Sequence, residues 1–186
     1  MRRARAVAER PVIGFDFSPT STGAVWLPPG WTPGDWSSIV ADTFDTEAEA
    51  GDLYAQACAA LDFVDSTWMR TPAKFPTIFY EQYAFSRGNS SRSIQQHELG
   101  GMVKFALRDK HAVVVAHAVV ASGARKLLFG PTKRAQVAGS KGWKKFIEAE
   151  LARMGCPLGS ADERDAFVAA NAGRHALGLP CLAHGG

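Results

Sequence analysis

Four carboxylates of this chain stand where a carboxylate is costly or unusually paired. Asp16 closes Val12-Ile13-Gly14-Phe15-Asp16, an apolar strand pattern that admits one acid before the turn around Ser18-Pro19-Thr20. A charge in such a run needs a cation, a donor or a metal to offset its lost hydration. Glu81 lies near the C-terminal end of a second β-rich run, Pro76 to Tyr83, where an edge position facing water is the plain alternative. Asp162 and Asp165 head a helical pattern and share one face, while Glu163 points elsewhere. Taken alone, Asp162 and Glu163 are first-turn acids complementing the helix dipole. Gathered at one point, the four acids would repel one another unless they held hard divalent cations through oxygen. Mg²⁺ fits that donor set best, and Mn²⁺ substitutes for it. Two such ions, about 4 Å apart, can deprotonate a water, hold a phosphate and stabilise both oxygens of an in-line displacement.

Periodicity defines the elements that must position these acids. Val12 to Leu27 reads as a β-hairpin, and Ser38 to Phe44 alternates as a third strand. A helix begins at Thr46, with Glu47 and Glu49 in its first turn, and runs to about Met69 before Pro72 and Pro76 end it. After the strand carrying Glu81, a polar loop from Ser86 to Arg92 holds Arg87 and Asn89. The next helix spans Ser93 to about Arg108, and its Gly100-Gly101 pair implies close approach of another backbone. His111 to His117 reads as an apolar strand buried on both faces, followed by a short helix from Val119 to Leu128. A loop from Phe129 to Ser140 leads to a helix over Lys141 to Met154. Ser160 is the N-cap of the last helix, which Gly178 and Pro180 stop. Residues 1–11 read as a flexible basic start, 12–178 as a single domain and 179–186 as a loose tail.

With 186 residues, 46% hydrophobic and 21% charged, the chain is long enough for one domain with a full core. Its longest apolar runs, such as Ala112 to Ala121, fall far short of the roughly 20 residues of a membrane span. The basic start lacks the apolar stretch of a secretory signal. Cys58, Cys156 and Cys181 are scattered and form no CxxC pair, so neither a disulfide framework nor a zinc site is indicated, and a reducing cytoplasm fits. His97, His117 and His175 lack partners at zinc spacing, and the five tryptophans read as packing. The net charge is only +3, yet Arg125, Lys126, Lys133, Arg134, Lys141, Lys144 and Lys145 fall in one stretch without an acid. That asymmetry favours a polyanionic partner, with a solvated basic face as the alternative.

The element order β, β, β, α, β, α, β and then helices gives an α/β fold. Its mixed five-stranded sheet, three antiparallel strands and then parallel ones, is flanked by helices, the strand order of the ribonuclease H superfamily. In such a sheet Asp16 and Glu81 lie side by side and the last helix packs across them. The chain also resembles the RuvC family of Holliday junction resolvases, over about Val12 to Leu177. The resemblance rests on Ile13-Gly14-Phe15-Asp16 with Thr20 to Gly23, Tyr80-Glu81-Gln82, the basic segment, and Asp162-Glu163-Arg164-Asp165 leading into an alanine-rich helix. It implies a divergent member such as a phage would carry, acting in the cytoplasm of a bacterial cell or an infected host.

By that resemblance Asp16, Glu81, Asp162 and Asp165 are the catalytic, metal-binding acids, holding two Mg²⁺ ions that Mn²⁺ can replace. Lys126 and Lys141 match the family's basic residues near the scissile phosphates. Their spacing exceeds the family's usual one, so Lys133 or Arg134 can stand in for either. Arg87 lies in the loop expected to meet DNA, and Phe85 or Tyr83 supplies the aromatic wedge, Phe85 being favoured because it lies beyond the strand. The implied activity is a Mg²⁺-dependent endonuclease that binds branched DNA as a homodimer and resolves four-way junctions by paired symmetric nicks, with the Gly100-Gly101 helix as the dimer contact. The alternatives are a ribonuclease H-fold nuclease acting on flaps or RNA–DNA hybrids and a non-catalytic junction-binding protein. A sugar kinase or actin-like ATPase also has a strand followed by Asp, Thr and Gly, but 186 residues hardly supply its two lobes.

Overall fold

The strand that carries Asp16 alternates its side chains between two apolar layers, and the sheet is built around it. A computed structural model describes residues 10–45, 52–71, 75–82, 91–111, 116–130 and 139–184. Strand β1 (Val12–Asp16) pairs antiparallel with β2 (Ser21–Leu27), and β2 antiparallel with β3 (Val40–Asp45). On its other side β1 runs parallel to β4 (Thr77–Gln82), and β4 parallel to β5 (Ala116–Val120). The spatial order is β3-β2-β1-β4-β5, the mixed five-stranded sheet expected from the element order.

Helices α1 (Leu53–Trp68) and α2 (Ser91–His111) cover one face, where Ile13, Phe15 and Ile78 meet Phe63, Val64, Leu99 and Val103. Helices α3 (Ala121–Phe129), α4 (Gly139–Arg153) and α5 (Ala161–Ala176) cover the other, where Val12, Val25 and Phe79 meet Leu128, Ile147, Phe167 and Ala170. The two-residue repeat of a strand therefore puts Asp16, in phase with Val12, and Glu81, in phase with Phe79, on the face of α5. That helix lies close on the sheet because two strand positions have no side chain. A Cβ at Gly14 would overlap the carbonyl oxygen of Ala166, and one at Gly23 that of Asp162.

The start of α5 is fixed by a capping box: Ser160 Oγ accepts from the Glu163 amide at 2.9 Å, and Glu163 Oε2 accepts from the Ser160 amide at 3.3 Å. Thr43 of β3 ties into the cap, its hydroxyl 2.6 Å from Ser160 Oγ. Glu163 is thereby turned away from Asp162 and Asp165, as its place in the first turn implies. Past α5, where composition alone points to a loose end, Asn171 brackets Leu182 with two 2.8 Å hydrogen bonds and Leu179 is buried.

Several boundaries differ from those read in the sequence. Helix α2 runs on to His111, because Lys110 and His111 both pair with Asp65 of α1 and the His111 ring packs against Trp68 and Phe75. The strand expected over His111 to His117 is therefore displaced to Ala116–Val120; residues 112–115 lie outside the described residues. It is an edge strand with His117, Ala118 and Val120 exposed, not one buried on both faces. The expected helix start at Thr46 also falls outside the described residues, and α1 as described is capped by Asp52, whose carboxylate accepts from the Ala55 amide at 3.0 Å. Residues Trp36–Ser38 form a 3₁₀ turn, so β3 begins at Val40. Among the described residues the close neighbour of Gly100 is the ring of Phe17, 3.5 Å from where a Cβ would stand, rather than another backbone, and Gly101 has no neighbour.

Candidate functional site

The parallel pairing of β1 with β4 sets Phe15 opposite Tyr80, so the next residues, Asp16 and Glu81, leave the sheet at the same end and on the same face. The first turns of α5 bring Asp162 and Asp165 to that end. Asp16 is 9% exposed and Asp165 4% exposed, so these acids are taken largely out of water. Two cations from the neighbouring helices bind the group together. Arg125 of α3 places Nη2 3.4 Å from Glu81 Oε2 and 3.6 Å from Asp165 Oδ1. Lys144 of α4 places Nζ 3.1 Å from Asp162 Oδ1 and 4.0 Å from Asp165 Oδ2. Ser21, at the start of β2, donates to Asp162 Oδ2 at 2.7 Å.

Burial dominates the electrostatics of the site. Burial pushes the Glu81 carboxyl above its ordinary value; Arg125 and Lys144 offset this in part, and the charge of Asp165 adds to it. Burial likewise raises Asp165 against the opposing pull of Arg125 and Lys144. For Lys144 burial works against the ammonium, but the hydrogen bond to Asp162 and the charges of Asp162, Asp165 and Asp16 outweigh it and raise its pKa. Among the described residues Asp165 Oδ1 is buried without a hydrogen-bond partner. Among the described residues no three carboxylate, histidine or cysteine side chains form a group that could hold a metal ion as they stand. The donor set nonetheless suits a hard divalent cation: carboxylate oxygens, one lacking a donor, under-neutralised by the cations present.

The structure thus brings Asp162, Asp165 and Glu81 onto shared cations and puts Asp16 at the same end of the sheet. It does not bring Lys126 there. Lys126 lines a cavity of about 840 Å³ with Phe79, His117, His175 and His184, while Arg125, one residue earlier, faces the acids. Consecutive helical residues point about 100° apart, so only one of this pair can reach the acids. The Lys141 backbone lies in α4, but its side chain is outside the described residues, as are Tyr83, Phe85, Arg87, Lys133 and Arg134. Sequence reasoning put Arg125 and Lys144 in a basic stretch, with Lys144 facing out or to a ligand, but did not place them among the acids, and it missed Ser21. A signal for Lys144 was present: it follows Lys141 by three residues on a helix, hence on a shared face.

No family model matches the sequence, and no curated protein matches it. Solved structures do match in three dimensions. "T. thermophilus RuvC in complex with Holliday junction substrate" superposes with a TM-score of 0.56 at 14% identity, covering 91% of this chain and 96% of that one. "Thermus thermophilus RuvC structure" gives 0.54 at 15% identity, covering 90% and 96%. The chain has a RuvC-like fold. At such low identity this likeness concerns the architecture, and the RuvC-like sheet with its last helix laid across β1 and β4 is what carries the four acids to one end.

Proposed function

We propose that this chain is a Mg²⁺-dependent, structure-selective endonuclease that binds four-way DNA junctions as a homodimer and resolves them by paired symmetric nicks. The observation that carries the reading is a pair of carboxylates, half-buried Glu81 and buried Asp165, brought from β4 and α5 onto one guanidinium nitrogen that approaches neither closely. The RuvC-like architecture, found in a protein solved with a Holliday junction, supports it. Asp16, Glu81, Asp162 and Asp165 are the side chains that would hold two Mg²⁺ ions, or Mn²⁺ in their place. When bound, such ions supply an activated water and neutralise the charge developing on the attacking and leaving oxygens.

The remaining work belongs to the chain's own residues. Ser21 holds one oxygen of Asp162, which leaves the other directed at Lys144. Lys144 is 48% exposed, so its ammonium can reach from the acids to a phosphate of bound DNA. Two related nicks require two sites, which a two-fold dimer supplies. Helix α2 is the candidate contact: Ile94 and Phe105 are exposed on it, and among the described residues nothing lies beside Gly101.

Incubation with a fixed four-way junction and with a duplex of the same sequence, in Mg²⁺, tests this directly. Nicking confined to the junction and abolished by Asp16→Asn is the expected result; full cleavage by Asp16→Asn would refute the assignment. A second reading, a non-catalytic junction binder, is favoured by the ion pairs that tie the acids to Arg125 and Lys144, and it requires that no substrate be nicked in any metal. Preferred nicking of flaps or RNA–DNA hybrids would instead point to a different nuclease of this fold.

A further inference from the structure

Arg125 occupies the gap between two of the acids, yet it is poorly joined to both. A strong arginine–carboxylate pair uses two parallel N–H···O bonds at about 2.8 Å. Here a single nitrogen, Nη2, is divided between Glu81 Oε2 at 3.4 Å and Asp165 Oδ1 at 3.6 Å. Among the described residues both partners keep unused capacity, because Arg125 Nε is buried without an acceptor and Asp165 Oδ1 without a donor. The guanidinium also touches a second surface: its central carbon is 6.0 Å from the centre of the Trp143 ring, a face on which a cation can rest. A residue serving stability alone would close these bonds; one that must move need not.

Resting on the nuclease reading above, we propose that Arg125 is the resident counter-ion of the unloaded site, and that its guanidinium must leave the gap between Glu81 and Asp165 before a divalent cation can occupy it. The vacating guanidinium keeps its seat on the Trp143 ring as it swings out from between the acids. Arg125 is then a positioning residue with two stations. It keeps the acids together when no ion is bound, and it competes with the ion that replaces it.

The test is calorimetric titration of Mn²⁺ into the DNA-free full chain. Arg125→Gln should bind Mn²⁺ roughly tenfold or more tightly than the natural chain, because a positive charge a few ångströms from the incoming ion has been removed. Adding Asp165→Asn should erase that gain, which locates it at the acids. Arg125→Lys keeps the charge, and its affinity should stay close to that of the natural chain. Equal or weaker binding by a folded Arg125→Gln overturns the proposal, and so does an Arg125→Lys as tight as Arg125→Gln. If the natural chain takes up Mn²⁺ and nicks junctions but Arg125→Gln gains nothing, only this inference falls. If no variant takes up Mn²⁺, the nuclease reading falls with it.

Discussion

The two ends of α5 treat buried charge in opposite ways. At the C-terminal end Arg174, with no exposed surface, donates from Nε to the Pro180 carbonyl at 2.7 Å and from Nη2 to that of Trp31 at 2.7 Å, and lies 5.2 Å from the Trp31 ring centre. Its partners are backbone carbonyls, already in place and fixed in direction. At the N-terminal end Arg125 and Lys144 share carboxylates at longer range, and a carboxylate oxygen and a guanidinium nitrogen are left over. A buried charge whose three nitrogens all reach backbone carbonyls is a rivet between segments of chain. A cluster with capacity left over is suited to receiving something else.

The contrast breaks first if the acids are dispensable. Glu81→Gln and Asp165→Asn should each lower junction nicking by on the order of 10³-fold or more while junction binding persists, because metal ligation is lost and the phosphate contacts remain. Gel-shift and cleavage assays on one preparation separate the two effects. At the other end Arg174→Ala should cost about 3–5 kcal/mol in urea unfolding, since it strips donors from the Trp31 and Pro180 carbonyls and leaves a cavity beside Trp31. In the folded fraction it should leave Mn²⁺ affinity unchanged. A stable Arg174→Ala with impaired metal uptake would mean that the two ends are not separate in role.

Between these extremes lies the cap that joins helix to site. Ser160→Ala removes the acceptor for the Glu163 amide and the contact with Thr43, so a stability loss of about 1 kcal/mol is expected from chemical denaturation. Because Asp162 and Asp165 ride on those turns, nicking should fall more than stability does. Retained full activity would show that the acids are held by Ser21 and Lys144 and not by the cap.

The parts of this arrangement that local patterns set are legible in the amino-acid sequence alone. One acid in the apolar run ending at Asp16, the Ser160 N-cap and the shared face of Asp162 and Asp165 all follow from neighbours within four residues, and the strand order places Glu81 beside Asp16. What is not legible there depends on contacts between distant segments. The extension of α2 to His111 comes from Asp65 on α1, and it pushes β5 along the chain to its edge position. The choice of Arg125 over Lys126 depends on the rotation of α3 against α5, which adjacent basic residues in a sequence do not reveal.

The smallest expected effect is a dependence on pH, and it separates the two ends most cleanly. Burial raises the folded-state pKa of both Glu81 and Asp165, so folding favours their protonated forms. The stabilisation from this source is present in full below their unfolded values and is lost as pH rises through the raised folded values. In metal-free buffer, Asp165→Asn and Glu81→Gln should therefore melt a few degrees above the natural chain near neutral pH. That advantage should shrink to nothing in acid, where the natural carboxyls are also neutral. Divalent cation should reverse the order at neutral pH, because only the natural chain gains a ligand. If the melting difference is the same at every pH, the acids are not under-neutralised, and the end of α5 that carries them is as fully partnered as the end that carries Arg174.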